Sequence, residues 1–218
     1  MIYELRNYGP HAALLDFGNS LHGAGLAAAA ARLLRRHIIF VEVVPAFSEV
    51  LLAWRPVATA TAVRRVIAAS LKDLAPAATA DVLGTLHTLE AVYDGPDLDS
   101  VAAQCNRSAS EVVRLHQAAT YRVGAVGFQP GFAYLVGLPT ALRLPRRSEI
   151  RSRVPAGSLA IATEYTAVYP HVSPGGWWLI GRVIAAGDSP RSEGVSGAGL
   201  CVADRVRFVA ASEKSSAP

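Results

Sequence analysis

Three stretches in the second half of the chain gather residue types that do chemistry together. GFQPGFAYL, residues 127 to 135, sets Phe128, Phe132 and Tyr134 around Gly127, Pro130 and Gly131. Glycine and proline impose a tight backbone path. The rings add an apolar wall, so the stretch reads either as a turn with core aromatics or as a binding loop. RLPRRSEIRSRVP, 143 to 155, holds five arginines and one glutamate, and prolines restrain the chain at both ends. Guanidinium forks bind carboxylates and phosphates; a solvated charged face is the other reading. YPHVSPGGWWLIGR, 169 to 182, offers Pro174, Gly175 and Gly176 beside Trp177. Paired glycines let backbone amides approach an anion, and a plain turn would use them as well. His116 precedes the first of a run of strands. A lone histidine there is more often a cation at a helix C-terminus than a proton-handling group.

Other chemistries lack their residues. The only lysines are Lys72 and Lys214, and neither follows a glycine-rich loop, which removes a P-loop nucleotide site. There is no G-x-S-x-G elbow, since GVSGAG at 194 to 199 has the wrong spacing and reads as a surface loop. A serine–lysine pair, an HExxH helix and a dinucleotide fingerprint are absent too. Cys105 and Cys201 stand far apart without metal-ligand spacing, which implies buried or neutral thiols and neither a zinc site nor a disulfide framework. A net charge of +4 without a basic stripe interleaved with aromatics argues against nucleic acid as a partner.

These groups need a scaffold, and the composition supplies one: 51% of the 218 residues are apolar and 17% are charged, as in chains that bury a core. The longest apolar run, near Ala24 to Leu34, is broken by Arg32. It is too short for the roughly 20 residues that span a bilayer. With no basic, apolar leader pattern in MIYELRNYGP, a cytoplasmic location and no membrane partner are expected.

Strands are expected at 2–6, 12–17, 38–44, 49–54 and 85–93, with helices over 20–36 and 59–74. Val63, Val66, Ile67, Leu71 and Leu74 lie on one face of the second helix. This β-α-β-β-α-β order predicts a ferredoxin-like α/β sandwich over 1–92. Beyond it, Asp97 is placed to cap a short helix, and Ser108 with Glu111 forms a capping box for a helix ending near Ala118. TYRVGAVGF, SLAIATEYTAVY, WWLIGRVIAA and DRVRFVAA then read as strands of a barrel or sandwich over 93–212. The polar segment 213–218 reads as a disordered tail.

Taken in order, Leu115–His116, GFQPGFAYLVGLP, PRR…RVPAGS and YP…SPGGWWLIGR resemble the family of KipI and the B-type subunit of 5-oxoprolinase, also called allophanate hydrolase subunit 1 or the carboxyltransferase C and D subdomains. The resemblance is dense over residues 93 to 210. It implies an α+β protein whose second domain is a cyclophilin-like β-barrel. It also implies a sister subunit, of the C type in 5-oxoprolinase or the allophanate hydrolase subunit 2 type, and ATP with Mg²⁺ to open the lactam of 5-oxoproline to glutamate. Other family roles are inhibition of a sensor histidine kinase and carboxyl transfer on urea- or allophanate-like substrates.

Under that reading His116, Tyr169 and Arg153 are the candidate catalytic groups. Arg146, Arg147 and Arg151, with Phe128, Pro130, Gly131, Phe132, Tyr134, Pro174, Gly175, Gly176 and Trp177, are candidate substrate or nucleotide contacts, and no metal ligand set is expected. The chain departs from the family pattern IAG-x-QTGIYP at IATEYTAVYP, where Tyr165 replaces a glutamine and Thr163 and Ala167 replace glycines. Altered ligand contact and a local change in the barrel are both open at this point.

Overall fold

A computed structural model describes residues 3–18, 22–72, 74, 84–184 and 199–211. It divides into two compact units, one built on residues 1–85 with 201–203, the other on 86–200 with the chain from 204.

The first unit is an antiparallel four-stranded sheet with two helices. Its elements are β1 (Glu4–Asn7), β2 (Ala12–Asp16), α1 (Gly23–Leu34), β3 (Phe40–Ala46), β4 (Glu49–Trp54) and α2 (Ala60–Leu71), and the strand order is β1-β2-β4-β3. Alternation in β2 and β4 sends Ala13, Leu15, Val50, Leu52 and Trp54 inward. Val63, Ile67 and Leu71 of α2 join the same core, and Val66 and Leu74 pack at its edge. The small residues of α1 permit close packing: a Cβ at Gly23 would press on the Ser48 side chain. Thr59 caps α2 by accepting from the Ala62 amide at 3.2 Å.

One expectation fails here. In a ferredoxin-like sandwich the strand at 85–93 would occupy the sheet edge beside β2, but β1 occupies that edge. The later strand, β5 (Leu86–Val92), belongs to the second unit, so the first ends at Thr85 rather than residue 92. Local pattern identified the strand correctly but is blind to its partner.

The second unit continues with α3 (Leu98–Gln104), α4 (Ala109–Ala118), β6 (Tyr121–Val126), β7 (Ala133–Val136), β8 (Arg151–Val154), β9 (Ser158–Ala162), β10 (Tyr165–Val168), β11 (Ser173–Gly175), β12 (Trp178–Val183) and β13 (Arg205–Ala210). Seven strands close a barrel in the order β10-β7-β6-β13-β5-β12-β9, with β10 returning to β9. β5 and β13 run parallel, which is why β5 must come from a distant part of the chain. The chain is therefore a mixed α+β protein with a closed barrel. α4 carries the expected capping box: Ser108 accepts from the Glu111 amide, and Glu111 accepts from the Ser108 amide at 2.9 Å. Among the described residues, no helix is long and apolar enough to cross a membrane. The segments at 194–198 and 213–218 lie outside the described residues.

Candidate functional site

GFQPGFAYL divides between loop and strand. Residues 127–132 link β6 to β7, closed by Gly127 N–H donating to Phe132 O and Phe132 N–H to Gln129 O, both at 3.0 Å. Ala133 onward is β7, a strand that the glycine-rich pattern concealed. Gly131 has φ 81° and Phe128 has φ 78°, a left-handed conformation costly for an aromatic residue. Pro130 and Phe128 are exposed, Phe128 at 65%, while Phe132 is buried.

Phe132 is the centre of an aromatic cluster. Its ring makes edge contacts with Phe128, Tyr134, Tyr169 and Trp177 at centroid distances of 5.0–5.7 Å. Such T-shaped pairs set the positive ring edge against a negative face. Tyr134, half-buried on β7, also meets Tyr165 and Trp177, each at 5.9 Å. The four rings expected near a ligand, Phe128, Phe132, Tyr134 and Trp177, thus converge with Tyr165 and Tyr169 from β10 and the residue after it. Tyr165 was noticed in the sequence only as a departure; here it is part of the cluster's half-exposed side. Thr163 starts the β9–β10 turn with φ 52°, and Ala167 is buried in the same cluster. The substitutions therefore affect both the aromatic surface and the local barrel.

Tyr169 is 2% exposed, and its hydroxyl accepts from the Trp177 amide. Burial raises its pKa to about 12 against the opposing pull of Arg146, so it is a neutral phenol at ordinary pH. Gly175 leaves room beside it: a Cβ there would overlap the Tyr169 hydroxyl. Gly176 lies near Ile150, and its carbonyl accepts from the Arg147 amide at 2.8 Å. Pro174 is exposed in β11.

β8 and β11 pair with Arg151 opposite Gly175, which joins the arginine-rich segment to the glycine pair. The arginines divide into two kinds. Arg146 and Arg153 are exposed. Arg147 and Arg151 instead donate to one oxygen of Asp97, Nη1 and Nη2 reaching Oδ1 at 2.6 and 2.7 Å. Arg147 also lies over the Trp178 ring, 5.2 Å from its centroid.

Asp97 occupies the N-cap position of α3, yet its side chain makes no capping bond. Its second oxygen accepts from the Leu179 amide at 2.7 Å, and its own amide donates to Leu179 O at 3.0 Å. A register shift between Leu179 and Gly181 in the β12–β9 ladder accompanies this exchange. Gly95 makes the approach possible, since a Cβ there would strike the β12 backbone from Leu179 to Gly181. The sequence showed Asp97 only as a helix cap; its ion pairs, spanning 50 and 54 positions, were not visible there.

His116 is placed elsewhere, wholly buried among Tyr93, Tyr121 and Phe208. Thr166 donates its hydroxyl proton to Ala160 O at 3.0 Å, so it can only accept from His116 Nε2, also at 3.0 Å. Nδ1 then accepts from the Tyr93 hydroxyl at 2.8 Å. Burial lowers the imidazole pKa to about 3. This is a neutral, satisfied core histidine, and the structure does not bring it to the arginines. Among the described residues, no group of three His, Cys, Asp or Glu side chains is placed to hold a metal ion.

The assembled surface has a buried aromatic floor, an aromatic side half-open to solvent, and arginines along the adjoining segment. It can hold a small planar apolar body that carries negative charge.

Comparison with known proteins shows the family and the fold. The family described as carboxyltransferase domain, subdomain C and D, matches residues 3–193. The B-type subunit of 5-oxoprolinase from Escherichia coli O157:H7 is 49% identical over 116 residues, 53% of this chain and 52% of that protein. The chain spans about half the length of the curated relatives it matches. The crystal structure of TTHA0988 superposes with a TM-score of 0.77 at 34% identity, covering 92% of this chain and 39% of that one. The urea carboxylase of Kluyveromyces lactis shares the fold at a TM-score of 0.65 and 17% identity, covering 97% of this chain and 22% of that one.

Proposed function

The chain belongs to the carboxyltransferase subdomain C and D family, and on that premise we propose that it is a subunit of an ATP-dependent 5-oxoprolinase. The supporting observation is the β8–β11 pairing, which sets Arg151 opposite Gly175 beside the Phe132 aromatic cluster. The name carried by the curated relatives points the same way. A five-membered lactam with a carboxylate is small, planar and anionic, matching what the surface offers.

Phosphoryl transfer from ATP to the lactam oxygen would release ADP and give an imidate phosphate. Water then adds at that carbon, the carbon–nitrogen bond breaks, and a proton passes to the nitrogen. A second water hydrolyses the resulting acyl phosphate to glutamate and phosphate. Exposed Arg146 and Arg153 would meet phosphate oxygens, with Mg²⁺ arriving on ATP. Tyr169, held neutral, is suited to donate a hydrogen bond rather than act as a base. His116 supports the barrel wall instead of transferring protons.

The partner in this reading is the sister subunit, of the C type in 5-oxoprolinase or the allophanate hydrolase subunit 2 type. TTHA0988 supports the idea of additional polypeptide, because this fold is only 39% of that chain. The test is 5-oxoproline-dependent ATP hydrolysis with this chain alone and with its partner subunits. Turnover is expected only from the assembly, with a loss of about tenfold or more in Arg153→Ala, as for a lost charged hydrogen bond. Activity of the isolated chain that survives Arg153→Ala removes the proposed role of the arginine.

A second reading rests on Phe128, Ile150 and Val172, which are exposed at 65, 73 and 47%. Apolar residues exposed in this way suit protein contact, as in inhibition of a sensor histidine kinase. Direct binding to such a kinase, with no lactam turnover in any assembly, would favour it.

A further inference from the structure

Charge counting around Asp97 leaves an excess. Two guanidinium groups share its Oδ1, while Oδ2 is taken by the Leu179 amide. One carboxylate thus faces two cations, and the cluster is net positive by one. Its members are well removed from water: the Asp97 side chain is 4% exposed, and those of Arg147 and Arg151 are 22% and 24% exposed. Uncompensated charge at such burial is costly. In addition, Arg147 Nε and Arg151 Nη1 are buried with no hydrogen-bond partner, although buried donors are rarely left unpaired.

The two arginines are also held in place. Arg147 is fixed by its amide bond to Gly176 and by the Trp178 ring, and Arg151 by its position in β8 opposite Gly175. We propose that Asp97, Arg147 and Arg151 form a receptor for one carboxylate group, with Asp97 as the positioning residue. This rests on the reading above and assigns the carboxylate of the lactam substrate to this cluster, separately from the phosphates of ATP. A monoanion cancels the single excess charge. A phosphate dianion would overshoot it, leaving net negative charge in a largely dehydrated place.

Asp97 fixes both forks by holding one terminal nitrogen of each, which leaves Arg147 Nε and Arg151 Nη1 without a partner. Bidentate recognition depends on such orientation as well as on charge. Removing Asp97 therefore sets the two effects against each other: the site becomes more positive but less ordered.

The experiment is NMR titration of the full chain, following the Arg147 Nε–H resonance (that of Arg151 in Arg147→Gln), with 5-oxoproline, 2-pyrrolidinone and inorganic phosphate as probes. 5-Oxoproline should shift that resonance, 2-pyrrolidinone should not, and phosphate should bind more weakly. Arg147→Gln and Arg151→Gln should each weaken 5-oxoproline about tenfold or more. Asp97→Asn should also weaken it, with partial recovery in Asp97→Glu, whereas tighter binding would show that net charge alone attracts the ligand and would overturn the positioning role. If Asp97→Asn does not fold, Arg151→Lys keeps the charge without the fork and should show the same loss. Absence of a carboxylate-dependent shift, or stronger binding of phosphate, overturns the receptor. Turnover by the assembled subunits with undiminished carboxylate binding in Arg147→Gln rejects this site but keeps the activity. Carboxylate-specific binding without turnover does the reverse.

Discussion

His116 donates through Nε2 to the Thr166 hydroxyl at 3.0 Å, joining α4 to a barrel strand 50 positions later in the chain. The Tyr93 hydroxyl fills the other ring nitrogen, so the imidazole is satisfied only while neutral. Its folded pKa of about 3 lies below the ordinary value of 6.5. The unfolded chain therefore binds the proton more readily, and stability falls as pH drops through this window. The expected loss is about 1.4 kcal/mol per pH unit below roughly 6.5. Denaturant unfolding of the wild type and His116→Gln across pH 7 to 4 measures it; equal slopes would remove His116 as the cause.

Thr163 adopts φ 52° at the β9–β10 turn, where L side chains are strained. Thr163→Gly relieves that strain but gives up the hydroxyl bond to Ala162 O and increases the entropy of the unfolded chain. A net gain of about 0.5–1 kcal/mol is expected. A lower melting temperature for the glycine variant would contradict this.

Gly175 and Tyr169 should be energetically coupled, because a Cβ at 175 overlaps the phenol oxygen. Gly175→Ala should destabilise by roughly 2 kcal/mol, within the range for overpacking. Tyr169→Phe removes the overlapping oxygen but leaves the ring close, so it should recover only part of the loss. A double-mutant cycle should show coupling of about 1 kcal/mol; strict additivity would mean that the loop shifts away at little cost.

Asp97→Ala should cost about 3–5 kcal/mol, since it strands two partly buried guanidinium groups and the Leu179 amide. By contrast, Arg153→Ala, at an exposed position, should change stability by less than about 0.5 kcal/mol while lowering turnover. Thermal melts and activity measured on the same preparations separate the two residues.

Much of the local structure was legible in the residues alone. The spacing of Val63, Ile67 and Leu71, the Ser108–Glu111 capping box and the alternation in 49–54 act over a few positions, and the helices and strand formed as expected. Order along the chain also carried the family, through the sequence from His116 to the Gly-Gly-Trp stretch. Assignments that depended on distant partners went differently. The strand at 86–92 pairs with 205–210 and not with the first sheet, because edge pairing depends on which backbone arrives alongside. Asp97 passed over the cap of its own helix for Arg147 and Arg151, where charge and burial outweigh one local amide. The three aromatics of GFQPGFAYL were named by sequence, but only the folded barrel turned Phe132 inward, left Phe128 outside and placed Tyr134 between them. Type and spacing determine what a residue can do nearby; burial and the second half of each contact exist only once the barrel closes.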